Sequence, residues 1–274
     1  MFSRRQDMLL YQGVLKTMQF LLHFCFFSML LGLAHADPPY NLCLKTTNIA
    51  QDSPFQLNLN NLLGSFSSNA SVQNYYNTSI GNDTNRVYGL FLCYKFVSGD
   101  GCENCIATAS QDIKRLCSNT SDAAVWEEVC QLRYSYQRFF GELDVTGNIP
   151  RNNTKNVTEP DRFRSVLNDT LRNLTKLAAF DPSMGMYATG EVNFTDTDTI
   201  YALVQCTTEL SQDNCSTCLE TAITNLSSCC PFARGARLLS RSCFLRYEFY
   251  AFYEGATEFP NSTRIQSTVS SKYS

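Results

Sequence analysis

A cysteine pattern that occurs twice constrains this chain more than any other feature of its sequence. Cys93, Cys102 and Cys105 read Cys-x8-Cys-x2-Cys, and the same spacing returns 113 residues later. The full register at this offset is Cys93 with Cys206, Cys102 with Cys215, Cys105 with Cys218, Cys117 with Cys230, and Cys130 with Cys243. Apolar and aromatic residues around these cysteines keep the same offset. A fixed period of this kind predicts two copies of one domain.

The first 36 residues have the pattern of a secretory signal peptide. Basic residues precede an apolar stretch at residues 20–33, and Ala-His-Ala at residues 34–36 fits a signal-peptidase site. The apolar stretch is shorter than the roughly 20 residues that span a bilayer. Met1 and Met18 are both candidate starts, and either predicts a mature chain that begins near Asp37.

Removal of this signal leaves twelve of the thirteen cysteines, an even number that is typical of a disulfide framework in an oxidising compartment. Neither histidine remains. The remaining 19 Lys and Arg stand against 24 Asp and Glu, so the net charge of −5 disfavours a polyanionic partner such as nucleic acid. With no apolar anchor after Cys243, we expect a protein that is secreted to the extracellular space and has no membrane span.

Sequons for N-glycosylation support secretion. We predict glycosylation at Asn69, Asn77, Asn82, Asn119, Asn152, Asn156, Asn168, Asn173, Asn193, Asn225 and Asn261. A twelfth sequon begins at Asn214, but its middle residue is Cys215, and an early disulfide there could block the transferase.

The chain is predicted to follow the signal (residues 1–36) with two domains of the α+β class. The first covers residues 37–145 and the second residues 162–253. Residues 146–161 are rich in Asn, Pro and Gly and are predicted as a linker, and residues 254–274 as a polar tail.

Hydrophobic periodicity predicts the elements of each copy. In the first copy, residues 55–66 and 102–116 have helical spacing, and residues 75–78 and 87–94 are predicted as a hairpin. Residues 125–136 alternate as one strand. The second copy repeats this order, which favours antiparallel sheets packed on helices.

The doubled cysteine motif, the Arg-Tyr pairs that begin at Arg133 and Arg246, and Ser-Cys-Cys at residues 228–230 resemble the plant cysteine-rich repeat secretory proteins. Their domain, also called ginkbilobin-like or stress-antifungal, occurs in the ectodomains of cysteine-rich receptor-like kinases. The resemblance covers about residues 38–253. It implies a five-stranded antiparallel sheet packed on two helices in each copy.

The resemblance also implies which cysteines pair. The implied bridges are Cys43 to Cys117, Cys93 to Cys102, Cys105 to Cys130, Cys206 to Cys215, and Cys218 to Cys243. The second copy lacks a counterpart of Cys43 and has Cys229 beside Cys230. These two either form a vicinal bridge, or are reduced or paired in another way.

A ligand site is implied by the mannose-binding member of the family. That member uses an Asn after the first cysteine, an Arg seven residues after the fifth, and a Glu five residues after the sixth. Only Arg237 and Glu248 of the second copy match, because the first copy has Leu44, Ala124 and Ser135 at these positions. Asn152 or Asn153 falls roughly where the Asn would lie. The alternative is that Arg237 and Glu248 form an exposed ion pair.

Enzyme activity is not expected. A mature chain without histidine cannot form a Ser-His-Asp or Cys-His site or a histidine-bearing metal site. The two Cys-x-x-Cys pairs have a further cysteine nine residues upstream, so we interpret them as structural bridges rather than zinc or redox centres. No cofactor and no metal are predicted.

The expected function is recognition in the plant apoplast during stress or defence, by binding of a mannose-type glycan or another cell-wall carbohydrate. The alternative is a protein-interaction module that pairs with receptor-kinase ectodomains of the same fold. Exposed apolar patches on the sheets would favour that alternative.

Overall fold

The computed structural model describes residues 39–46, 50 and 52–253. The predicted signal peptide, the predicted tail and the sequon at Asn261 lie outside these residues. Two five-stranded antiparallel sheets, each with two long helices, form the described part of the chain. The α+β class and the sheet-and-helix content expected for each copy are therefore confirmed. None of the described helices has the length and apolar character that crossing a membrane requires.

Each repeat has the same order of elements. The first contains β1 (Tyr40–Thr46), α1 (Pro54–Ala70), β2 (Tyr75–Ile80), β3 (Val87–Cys93), α2 (Gly99–Leu116), β4 (Thr120–Trp126) and β5 (Cys130–Ser135). The second contains β6 (Ile149–Asn152), α3 (Pro160–Phe180), β7 (Tyr187–Asn193), β8 (Thr199–Cys206), α4 (Gln212–Cys229), β9 (Ala236–Leu239) and β10 (Cys243–Glu248). The strand orders are β1-β4-β5-β3-β2 and β6-β9-β10-β8-β7, so the two sheets have one topology.

Local sequence explains where helices begin. Ser53 caps α1, because its hydroxyl accepts a hydrogen bond from the backbone N–H of Gln56 at 3.2 Å, and Pro54 follows in the first turn. Ser98 and Ser211 cap α2 and α4 in the same way. The caps of α2 and α4 are again 113 residues apart, so the repeat extends to the helix starts.

The single strand predicted over residues 125–136 is wrong. The chain turns after Trp126 and resumes at Cys130, so β4 and β5 are two antiparallel neighbours, with Trp126 opposite Gln131. Apolar residues occupy even-numbered positions both before and after the turn. The turn nevertheless reverses the face of the sheet to which even-numbered positions point. Periodicity therefore could not reveal the break.

Two edge strands were not predicted. β1 begins its sheet, and β6 lies inside the segment predicted as the linker and pairs with β9. β6 is four residues long and contains Pro150, which an edge strand tolerates because one side of its backbone needs no ladder partner. A strand as short and polar as β6 lacks an apolar alternation to detect.

The inner face of each sheet packs on its two helices and forms a separate core. Leu62, Phe66, Phe91 and Leu132 are fully buried in the first core. Phe163, Leu171, Leu219 and Leu245 occupy the second. These are the residues whose spacing predicted helices and strands, and their burial supplies most of the stability of each repeat.

The outer faces of the two sheets pack against each other. Tyr94 of the first repeat stacks on Phe244 of the second, with 4.0 Å between ring centroids. Trp126 is buried in this layer and donates its indole N–H to the carbonyl oxygen of Ser240 at 3.3 Å. Leu203 and Leu239 complete the contact. The repeats therefore share a third apolar layer that neither could form alone.

Candidate functional site

All twelve cysteines of the predicted mature chain lie in bridges. The structure joins Cys43 to Cys117, Cys93 to Cys102, Cys105 to Cys130, Cys206 to Cys215, Cys218 to Cys243, and Cys229 to Cys230. The first five are the pairs that the family resemblance implies. The sixth is the vicinal alternative, in which Cys230, the counterpart of Cys117, bonds to its neighbour.

The strand register shows what replaces Cys43 in the second repeat. In the first sheet Cys43 lies opposite Ala123, and in the second Asn152 lies opposite Ala236, the residue 113 positions after Ala123. Asn152 therefore occupies the place of Cys43, and Asn153 occupies the place of Leu44. Of the two asparagines considered for the residue after the first cysteine, the register selects Asn153.

Asn153 and Glu248 converge above one glycine. The backbone N–H of Asn153 donates to the carbonyl oxygen of Gly235 at 2.9 Å. A Cβ atom added to Gly235 would collide with Oε2 of Glu248 and lie 2.7 Å from Nδ2 of Asn153. The missing side chain at Gly235 therefore leaves room for an amide and a carboxylate, which together can donate to and accept from vicinal hydroxyl groups.

Arg237 lies on β9, two residues from Gly235 and on the same face of the sheet. It donates to Glu128 of the first repeat at 2.8 Å, and Arg246 of β10 donates to the other oxygen of Glu128 at 2.8 Å. Arg246 also donates to Glu248 at 3.2 Å. We call Glu128, Arg237, Arg246 and Glu248 the open cluster. It joins the two repeats beside the Asn153 position.

The sequence alternative of an exposed pair does not describe these two residues. Arg237 and Glu248 are each only 8 % exposed. They lie on two neighbouring strands, β9 and β10, and Arg246 is directly opposite Arg237. The charge of Arg237 also acts on the Glu248 carboxylate.

Burial and charge oppose each other in the open cluster. Burial raises the pKa of Glu248, because the loss of water outweighs the attraction of Arg246 and Arg237. Burial also acts on Glu128, but the hydrogen bond and charge of Arg237, with those of Arg246, hold the pKa of Glu128 below its usual range. Glu128 is thus the carboxylate that both arginines stabilise.

Aromatic rings surround the arginines. Arg151 of β6 lies opposite Arg237, and both guanidinium groups lie over the ring of Tyr40, at 4.5 and 5.5 Å from its centroid. Arg246 lies 4.5 Å from the ring of Phe252. The site is therefore built from both repeats, since Tyr40 and Glu128 belong to the first.

Sequence reasoning missed four members of this site: Tyr40, Glu128, Arg151 and Arg246. The signal for Arg246 was present, because it belongs to the repeated Leu-Arg-Tyr motif, but that motif served only to define the repeat. No sequence signal identified the other three, since their place depends on how the two sheets pack together.

The predicted glycosylation sites differ in exposure. Asn82, Asn119, Asn152, Asn156, Asn173 and Asn193 are exposed, and Asn69, Asn77, Asn168 and Asn225 are partly exposed. Asn214, left out of the predicted set, is also partly exposed. Glycosylation of these positions remains a prediction. Within the described residues, no group of three or more His, Cys, Asp or Glu side chains is placed to hold a metal ion.

Comparison with known proteins identifies relatives of the chain. It is 34 % identical over 219 residues to an antimicrobial ginkbilobin-2-like protein of Castanea crenata, covering 80 % of this chain and 90 % of that one. It is 36 % identical over 204 residues to cysteine-rich repeat secretory protein 38 of Arabidopsis thaliana, covering 74 % and 81 %.

Cysteine-rich receptor-like protein kinase 25 of Arabidopsis thaliana is 36 % identical over 253 residues, which are 89 % of this chain but only 37 % of that kinase. The chain thus spans about a third of the kinase. Among solved structures, the tandem DUF26 ectodomain of the Arabidopsis thaliana cysteine-rich receptor-like protein PDLP8 matches with a TM-score of 0.68 at 25 % identity, covering 77 % of this chain and 97 % of that one.

The salt stress response/antifungal family matches residues 42–137 and again residues 150–250. These two segments contain nearly all of the two matching sheets and all the disulfides described above. The resemblance inferred from the doubled cysteine motif is confirmed: the chain belongs to the salt stress response/antifungal family and carries two of its domains in tandem.

Proposed function

We propose that this chain is a secreted, non-enzymatic recognition protein of the plant apoplast that binds a mannose-type glycan or related cell-wall carbohydrate. One observation supports this most directly. The strand register gives the second repeat an Asn, an Arg and a Glu at the three positions that the mannose-binding member of the family uses, namely Asn153, Arg237 and Glu248.

The chemistry of these groups suits a sugar diol. The amide of Asn153 both donates and accepts, the Glu248 carboxylate accepts, and the guanidinium of Arg237 donates. The missing side chain at Gly235 lets the amide of Asn153 and the carboxylate of Glu248 lie close together above the sheet. The first repeat has Leu44, Ala124 and Ser135 at the matching positions, so one sugar per chain is proposed.

The names of relatives support a role in defence and secretion. One is called antimicrobial and three are called cysteine-rich repeat secretory proteins. The alternative, pairing with receptor-kinase ectodomains, predicted exposed apolar patches on the sheets. In the described residues, the outer sheet faces are instead buried between the repeats. We therefore place carbohydrate binding first.

Asn153→Ala tests the proposal with little risk to the fold, because Asn153 is exposed and the Asn-x-Thr sequon at Asn152 is kept. Binding of methyl α-mannoside is measured by calorimetry on enzymatically deglycosylated protein. We expect Kd to rise about tenfold, which corresponds to about 1.4 kcal/mol, the scale of one or two lost hydrogen bonds.

The matched control is Asn152→Gln, which removes the neighbouring sequon but leaves Asn153 in place. It should bind as the wild type does. Equal affinities for wild type and Asn153→Ala, or no binding by the wild type at millimolar mannoside, would overturn the proposal.

A further inference from the structure

We infer that the proposed sugar site prefers a saccharide that carries a carboxylate, a uronate, and that Arg151 is the residue that selects it. The inference rests on the proposed function, because it assumes that Asn153 and Glu248 bind the hydroxyl groups of the sugar. It concerns residues that the family's mannose positions do not include.

The first observation is an excess of positive charge. Arg151, Arg237 and Arg246 form a row across β6, β9 and β10, each directly opposite the next. Among the residues that the structure describes, Glu128 pairs with Arg237 and Arg246, and Glu248 pairs with Arg246. Within this part of the chain, three guanidinium groups thus lie beside two carboxylates. This local excess stands out in a chain whose predicted mature form carries a net charge of −5.

The excess is located at Arg151. Arg237 and Arg246 are largely buried and both pair with Glu128. Arg151 is exposed, and no carboxylate among the described residues forms an ion pair with it. Its contact is with the ring of Tyr40, 4.5 Å from the guanidinium carbon to the ring centroid. The ring holds the guanidinium in place, and within the described part of the chain no acceptor takes up its N–H groups, so they can donate to a ligand.

The second observation is the position of Arg151 relative to the sugar site. Arg151 and Asn153 are two residues apart at the end of an edge strand, so their side chains leave the same face about 6.6 Å apart. A pyranose held by Asn153 and Glu248 would bring a substituent on its ring toward Arg151. A carboxylate there could accept two parallel N–H bonds from the planar guanidinium.

The first repeat shows what the site would be without this charge. The residue that matches Arg151 in the strand register is Leu42, which lies opposite Ala124. No guanidinium occurs at either position, and the matching asparagine is also missing. The arginine pair Arg151 and Arg237 therefore distinguishes the second repeat at the place where the sugar positions are kept.

The experiment compares ligands that differ only in the carboxylate. Methyl α-mannosiduronate, its neutral methyl ester and methyl α-mannoside are titrated into the deglycosylated protein at low salt. We expect the uronate to bind about tenfold tighter than the other two, because a charge-assisted bidentate pair is stronger than a neutral hydrogen bond. The preference should weaken at high salt, since Arg151 is exposed.

Arg151→Gln should abolish the preference, so that the uronate and its methyl ester bind with equal Kd. Arg138→Gln is the matched control, because Arg138 is also exposed and lies over an aromatic ring, that of Phe140, in the first repeat. It should keep the wild-type preference.

Equal affinity for uronate and ester, or a preference that survives Arg151→Gln, would overturn the inference. If the mannoside still binds and depends on Asn153, the proposed function stands and only the uronate preference fails. If no ligand binds the wild type, both fail together.

Discussion

Two ion clusters join the repeats, and they are matched by the same offset of 113 residues but have opposite charges at their centres. Glu128 and Arg241 occupy equivalent positions in the turns between the last two strands of each repeat. Each side chain reaches into the sheet of the other repeat. Glu128 meets two arginines there, whereas Arg241 meets two aspartates.

The cluster around Arg241 is closed to solvent. Arg241 pairs with Asp122 at 3.3 Å and with Asp144 at 2.6 Å, and Asp144 also pairs with Arg133 at 2.8 Å. Both arginine side chains are about 5 % exposed or less. Burial, together with the charge of Arg241, lowers the pKa of Arg133 to about 10. This cluster is therefore a structural contact between the repeats.

The open cluster, around Glu128, is accessible to solvent. The Glu128 side chain is 43 % exposed, and Arg151 and Asn153 lie beside it at an edge strand. In the first repeat the corresponding edge is tied to α2 by the bridge from Cys43 to Cys117. The same interface position is therefore closed to solvent on one side, where it holds the repeats together, and accessible to solvent on the other, where its polar groups are exposed.

Arg241→Met should show the largest effect, because it leaves Asp122 and Asp144 largely buried with one arginine between them. We expect the free energy of unfolding to fall by about 3 kcal/mol, as is usual when one partner of a buried pair is removed. Urea denaturation measures this change. Arg172→Met is the control, since its pair with Glu220 is exposed, and it should change stability by less than about 0.5 kcal/mol. A loss of similar size in both variants would contradict the closed character of the Arg241 cluster.

Glu128→Gln should have a smaller effect. In this variant, Arg237 and Arg246 still have the negative charge of Glu248 beside them, and Glu128 itself is partly solvated. We therefore expect the free energy of unfolding to fall by about 1 kcal/mol, and by less in 0.5 M NaCl. The same denaturation series, run at two salt concentrations, checks this. If Glu128→Gln costs as much as Arg241→Met, the two clusters are equally closed and the distinction between them is wrong.

The smallest effect concerns pH. Burial, followed by the charge of Asp112 and a hydrogen bond to it, raises the pKa of Glu127 from 4.5 to about 7. The folded state therefore holds this proton more tightly than the unfolded state does. The contribution of Glu127 to stability is fully present below pH 4.5 and is lost as the pH rises to about 7.

Because Glu127 is partly exposed, we expect this loss to be less than about 1 kcal/mol. Melting temperatures at pH 4 and pH 8 are compared for wild type and Glu127→Gln. The variant should lose less stability between the two conditions. Glu142→Gln, at an exposed position, is the control and should follow the wild type. A variant that loses as much as the wild type would exclude Glu127 as the source.

The fold could be predicted from the sequence wherever the spacing of residues along the chain indicates it. Cysteines at fixed separations, and apolar residues such as Phe66 and Leu132 at helical or strand periods, predict the repeat, its helices and most of its strands. The turn after Trp126 was not predicted, because the apolar alternation continues through it. β6 was not predicted, because it is short, polar and contains proline.

Only part of the candidate site could be predicted from the sequence. Arg237 and Glu248 follow from their distance to a cysteine, whereas the asparagine could not be assigned. Across the edge strand the offset between the repeats changes from 113 to 109, since Ile149 takes the place of Tyr40. With no cysteine there to mark the change, only backbone pairing between β6 and β9 could distinguish Asn152 from Asn153.

By itself, the sequence determined the family, the doubled domain and the residues that form each core, because these depend on contacts within one repeat. The tertiary structure alone decided which edge residue lies beside Glu248, that Glu128 belongs to a site in the other repeat, and that Arg151 lies over Tyr40. Such contacts join residues about 100 positions apart through strand register and sheet packing, which no local spacing in the chain records.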